Sequence, residues 1–223
     1  MSRLVAIGSV LVWLHPAVPV GGQAVKPVTS APVPSCLNDE QQSLNKKLRE
    51  LNRPTTKEDP EWIFDPDYFL GSWDLEWEAP ESVLGSAGTL TGRITFKHVD
   101  PCYYEGDLQG KGPDGGFRSK IQFLADPTNR WMTWIEADSR GFTLIKSGRM
   151  GGDLGGYFTH FWEAPVFTYK GKKVRIKGTN FLGSPAAFRY RSQISVDGSP
   201  YENFGTAWFR KDLASGPPKS PDR

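Results

Sequence analysis

From Phe69 to Arg210, over about 140 residues, apolar and polar side chains alternate with a period of two almost without a break. Successive strand side chains point to opposite faces, so this pattern writes one apolar and one wet face per strand. Trp73, Leu75 and Trp77 alternate with Asp74, Glu76 and Glu78, and Leu90, Ile94, Phe96 and His98 with Thr91, Arg93, Thr95 and Lys97. Val174 and Ile176 alternate with Lys173, Arg175 and Lys177, and Phe188, Tyr190, Ile194 and Val196 with Arg189, Arg191, Gln193 and Ser195. Turn residues recur between these runs, at Gly110–Gly116, Asp126–Asn129, Asp138–Gly141, Lys170-Gly171 and Asp197-Gly198. The spacing predicts an all-β chain of about nine to ten strands joined as hairpins. An antiparallel sheet of that width closes into an up-and-down barrel, and a barrel has an interior.

Composition agrees. The 24 glycines and 18 prolines suit short strands and turns, and the aromatic residues, 13% of the chain, concentrate after Trp62 where they can fill one core. A net charge of +2 creates no field that would recruit nucleic acid.

The N-terminus reads as an export signal over residues 1–24. Arg3 supplies the positive end, Leu4–Leu14 is an uncharged apolar run, and Gly22-Gln23-Ala24 fits a small-x-small cleavage site. That run is about half of the ~20 residues a spanning helix needs, so no stable membrane insertion is expected; a retained N-terminal anchor is the alternative. The expected location is periplasmic or extracellular. In an oxidising compartment Cys36 and Cys102 form either a disulfide or two independent thiols.

Residues 25–36 are a proline-rich linker, and 37–66 hold an amphipathic helix followed by an irregular approach to the first strand. Leu37, Leu44, Leu48 and Leu51 form the helix's apolar stripe, with Asn45 among the residues assigned to the wet side. The barrel is expected over 67–211, and 212–223 reads as a disordered tail.

The Gly71-Ser72-Trp73 opening and Trp208-Phe209-Arg210 at the close resemble the calycin superfamily, which includes lipocalins and fatty-acid-binding proteins. Within it, residues 67–211 look most similar to a family of secreted bacterial domains of unknown function. The matching pieces are Phe69–Trp73, Asp126–Trp131 with Gly141, and Val196-Asp197-Gly198 leading to Trp208-Phe209-Arg210. The resemblance implies a lipocalin-like barrel with Arg210 laid over Trp73. Nitrobindins of this type hold haem through a histidine near the end of the barrel, and this chain has no histidine after His160.

Candidate chemistry is sparse. His98 and His160 could serve as acid, base or haem ligand, or simply as hydrogen-bonded histidines. No Gly-x-Ser-x-Gly elbow appears, the Gly-rich Arg149–Gly156 lacks the residues of a phosphate loop, and the two cysteines make no metal motif. Lys170–Lys177 alternates charge with apolar residues and reads as a solvated strand face. Strand parity puts Trp77, Phe96, Tyr104, Phe123, Trp131, Phe142, Phe188 and Tyr190 on the inner face, where they fill the barrel or line a cavity. The expected role is binding a small apolar or aromatic ligand, with no catalytic residue, metal or cofactor assigned. Two alternatives stand: an enzyme or haem protein acting through His98 or His160, and a structural protein of the cell envelope with a solid core.

Overall fold

A computed structural model of the chain describes residues 32–152 and 157–215. The expected signal peptide, most of the linker, the last four residues of the Gly-rich stretch and the last eight residues of the chain lie outside them. The strands are β1 (Gly71–Ala79), β2 (Gly88–Asp100), β3 (Tyr103–Gly112), β4 (Gly115–Asp126), β5 (Trp131–Asp138) and β6 (Phe142–Gly152). They continue with β7 (Phe158–Glu163), β8 (Phe167–Tyr169), β9 (Lys172–Ser184), β10 (Ala187–Val196) and β11 (Glu202–Lys211). Neighbours bond antiparallel in the order β10-β11-β1-β2-β3-β4-β5-β6-β7-β9, and β9 pairs with β10 to close the ring. Short β8 bonds β9 on the edge that β7 also uses, so the two act as one interrupted strand. The result is a closed antiparallel barrel of ten strand positions, the all-β architecture expected from the alternation.

Local sequence explains the connections. Lys170 and Gly171 both take left-handed backbone (φ 47° and 74°) between the paired residues Tyr169 and Lys172, the geometry a two-residue hairpin favours. At Gly148 on β6, an added Cβ would sit 1.7 Å from the Phe161 carbonyl oxygen, so β7 approaches as closely as it does because no side chain stands between.

One end of the barrel is plugged. A 3-10 turn, Pro66–Phe69, follows an N-capping Asp65 and drives Phe69 into the interior, where it is fully buried. Hydrogen bonds fix it, among them Trp73 Nε1 donating to the Phe69 carbonyl at 2.7 Å, Tyr68 Oη to that of Ser184 at 2.9 Å, and Tyr104 Oη to Asp67 Oδ1 at 2.7 Å. Phe69 meets Phe96, Phe123, Trp134 and Phe188 with ring centroids 5.2–5.8 Å apart. Such tilted and edge-on contacts add to the area that each ring buries. The irregular segment before β1 is therefore part of the core.

Outside this end lies α1 (Asp39–Arg49), opened by a capping box between Asn38 and Gln41. It is shorter than the expected stripe, and Asn45, assigned above to the wet side, is buried. Its amide donates to the Ile63 carbonyl at 2.7 Å and accepts from the Ile63 N–H at 3.0 Å, clamping the helix to the plug segment. Cys36 is bonded to Cys102, with Cα atoms 4.5 Å apart, so the two-thiol alternative is wrong. Cys102 lies in the turn between β2 and β3 rather than on a strand. At the C-terminus, Asp212 pairs with Arg93 and Leu213–Ser215 form a 3-10 turn, so ordered chain runs past the expected limit of Lys211.

Candidate functional site

The plug fills only half of the barrel. The half nearer the β1–β2, β3–β4 and β5–β6 turns holds a cavity of about 160 Å³ that opens at that mouth. It lies between two packed apolar clusters, one built around the plug and one around Trp162, Val174, Ile176 and Phe204. Leu75, Trp77, Leu108, Ile121, Phe188 and Phe209 are among its lining residues, and Leu84, from the β1–β2 connection, reaches it from the rim. That connection is pinned: Asp114 accepts from the Ser86 N–H at 2.8 Å and from the Ser86 hydroxyl at 2.7 Å.

Of the eight aromatics placed inside by parity, Trp77, Phe142, Phe188 and Tyr190 line the cavity. Phe96, Tyr104 and Phe123 are buried in the filled half and do not line it. Trp131 is on the outer wall, 47% exposed, its Nε1 donating to Ser147 Oγ at 2.9 Å. Its parity is the reverse of that expected: on β5 the inward residues are Met132, Trp134, Glu136 and Asp138. Thr133, which shares the parity of Trp131, faces Ser147 outside with it.

The reversal carries charge into the barrel. Lys146, opposite Trp134 in the β5–β6 register, is buried and donates to Glu136 Oε2 at 2.6 Å. Its Nζ lies 4.8 Å from the Tyr190 ring centre, 5.8 Å from that of Trp134 and 5.9 Å from that of Trp162. Burial works against the ammonium charge, but Glu136 and Tyr190 more than offset it, so Lys146 titrates above its ordinary value. Burial pushes the Tyr190 hydroxyl up as well. Both remain protonated at neutral pH. At the rim Arg140 clasps Asp138 in a two-point ion pair at 2.7 and 2.8 Å and covers the rings of Phe117 and Phe142.

Neither histidine lines the cavity. His98 heads a cross-strand row with Tyr104, Phe123 and Trp134, each ring stacked on the next at 4.4, 4.4 and 5.5 Å. Its Nδ1 is 3.6 Å from Asp67. His160 is fully buried, with Nε2 donating to the Met132 carbonyl at 3.1 Å. Burial lowers its pKa to about 4, which keeps it neutral. Among the described residues no three His, Cys, Asp or Glu side chains gather as a metal site, and no helix is long and apolar enough to cross a membrane.

No protein-family model matches this chain, and no curated protein does. Among solved structures it is similar to the crystal structure of Rv2717c from M. tuberculosis, with a TM-score of 0.52 at 15% identity over 65% of this chain and 92% of that one. A de novo designed fluorescence-activating β-barrel superposes with a TM-score of 0.38 at 16% identity, over 65% of this chain and 94% of that one, too loosely to inform the site. The likeness to Rv2717c extends to the fold alone: a closed antiparallel barrel.

Proposed function

We propose that this barrel binds a small, largely apolar ligand in the mouth-side cavity. The observation that carries the reading is the open cavity of about 160 Å³ walled by aromatic and aliphatic side chains. An apolar cavity of ~150 Å³ is enough to hold benzene, whereas pockets for drug-sized ligands run to ~300 Å³ and more. The ligand is therefore of single-ring size, smaller than a fatty acid. The rival reading, an enzyme or haem protein acting through His98 or His160, needs a histidine at the cavity, and both lie away from it.

The disulfide supports a working place outside the reducing cytoplasm, in keeping with the export signal read over residues 1–24. The ordered motifs from Phe69–Trp73 to Trp208–Arg210 support a place among calycin-like secreted bacterial barrels. To test the binding reading, fluorobenzene is titrated into the protein and followed by fluorine NMR. Saturable binding is expected with a dissociation constant of ~1 mM or tighter, given the few atoms such a ligand brings. If no aromatic of that size binds saturably, the reading is wrong.

A further inference from the structure

The geometry points to a narrower ligand class: an uncharged, single-ring molecule carrying a hydrogen-bond acceptor and donor side by side, as a primary amide does. This rests on the ligand-binding reading above. Lys146 and Glu136 both line the cavity, with side chains 8% and 15% exposed, and their charges cancel. Neither is saturated. Lys146 uses one of its three ammonium hydrogens on Glu136 Oε2, and the ring centres of Tyr190, Trp134 and Trp162 lie 4.8–5.9 Å from its Nζ. Glu136 Oε1 has no hydrogen-bond partner among the described residues.

What remains is unused donor capacity on the Lys146 ammonium beside one acceptor oxygen of Glu136. An amide fills both: its carbonyl accepts from Lys146 and its N–H donates to Glu136 Oε1. A carboxylate would leave the site with a net negative charge in an apolar barrel, and an ammonium would leave it positive; either is an uncompensated buried charge. The second ion pair offers no relief. Arg140 holds both oxygens of Asp138, which also accepts from Ser119 Oγ at 3.1 Å and the Arg140 N–H at 2.8 Å. Well-packed apolar residues are often as stable as a buried ion pair or more so, so polar recognition gives Lys146 and Glu136 a use that packing does not.

Toluene, benzamide, benzoate and benzylamine, matched in size, are compared as competitors of bound fluorobenzene. Benzamide is expected to displace it at concentrations about tenfold below toluene, as two hydrogen bonds to charged partners allow, and benzoate and benzylamine to be weaker than benzamide. The double variant Glu136→Leu/Lys146→Met removes both charges together, which a fold tolerates far better than losing one. It should still bind toluene and lose the preference for benzamide. Glu136→Gln alone leaves Lys146 uncompensated and should turn the preference toward benzoate; if that variant does not fold, the double variant decides. Benzoate binding the native protein as tightly as benzamide, or a double variant that keeps the amide preference, overturns the proposal. Toluene binding with no amide preference sinks this proposal alone, whereas failure of all four competitors and of fluorobenzene sinks the ligand-binding reading beneath it.

Discussion

Lys211 Nζ lies 5.0 Å from the centre of the Trp73 ring, while the neighbouring Arg210 turns outward to Glu76 at 3.3 Å. The β1–β11 register explains the choice, since Trp73 pairs with Lys211 and Arg210 with the outward-facing Asp74. The cation expected over the first-strand tryptophan is thus present, one residue later than Arg210. Lys211 also donates to the Tyr68 carbonyl at 3.1 Å, tying the last strand to the plug. Loss of the cation–π contact and of that hydrogen bond should make Lys211→Ala cost about 1–2 kcal/mol. Arg210→Ala, which breaks only an exposed ion pair, should stay within about 0.5 kcal/mol. Urea denaturation of the two variants separates them; equal costs would return the role to Arg210.

The Cys36–Cys102 bond closes a loop of 66 residues and anchors the chain just ahead of α1 to the β2–β3 turn. On the chain-entropy account a loop of that length contributes about 4 kcal/mol. Replacing both cysteines by serine should lower the urea midpoint accordingly. The amides of α1 should then exchange faster than those of the barrel, because the Asn45 clamp to Ile63 is the main tie left. Hydrogen exchange that stays uniform across both would mean that the helix does not depend on the bond.

His160 makes stability depend on pH. Its folded pKa of about 4 lies below its ordinary 6.5, so between these values the unfolded chain binds more protons than the folded one. Stability from this residue is therefore complete above pH 6.5 and is lost as the pH falls toward 4, by an amount on the order of 3 kcal/mol. His160→Gln should be less stable at pH 7, since it disturbs the bond to the Met132 carbonyl, yet show a flatter profile from pH 6.5 to 4. Parallel slopes for the two proteins across that window would contradict the assignment.

The barrel was legible because strand alternation is a local property that burial of one face enforces. The charged interior was not. On β5, Trp131, Thr133, Ile135 and Ala137 form an uncharged set, and Met132, Trp134, Glu136 and Asp138 a set with two carboxylates. Hydrophobicity alone favours the first set inside. The second wins because each carboxylate meets a cation: Lys146 across the strand pair for Glu136, Arg140 two residues on for Asp138. One signal was available, since Phe142 and Lys146 share a parity on β6, and placing the first inside commits the second. The plug carried no such signal: residues 61–70 have no period, and Phe64, Tyr68 and Phe69 become core only once the ring has closed around them.

The same parity yields the sharpest test of where a ligand sits. Ala207 on β11 is 3% exposed and lines the cavity, paired with Trp77 on one side and Tyr190 on the other. Ala207→Leu puts three further carbons on a wall of a space of only about 160 Å³. The cavity takes part of the added volume, so the overpacking penalty should fall at or below the usual ~1–3 kcal/mol. Fluorobenzene binding should drop by at least about tenfold, because a ligand of this size has no room to shift. Trp131→Ala, which removes a much larger ring from the outer wall, should leave the affinity within about twofold, as surface substitutions remote from a site commonly do. Circular dichroism and the urea midpoint confirm that both variants are folded. If the Ala207 variant binds as the native protein does while Trp131→Ala weakens binding, the ligand lies on the outer wall and the cavity is not its site.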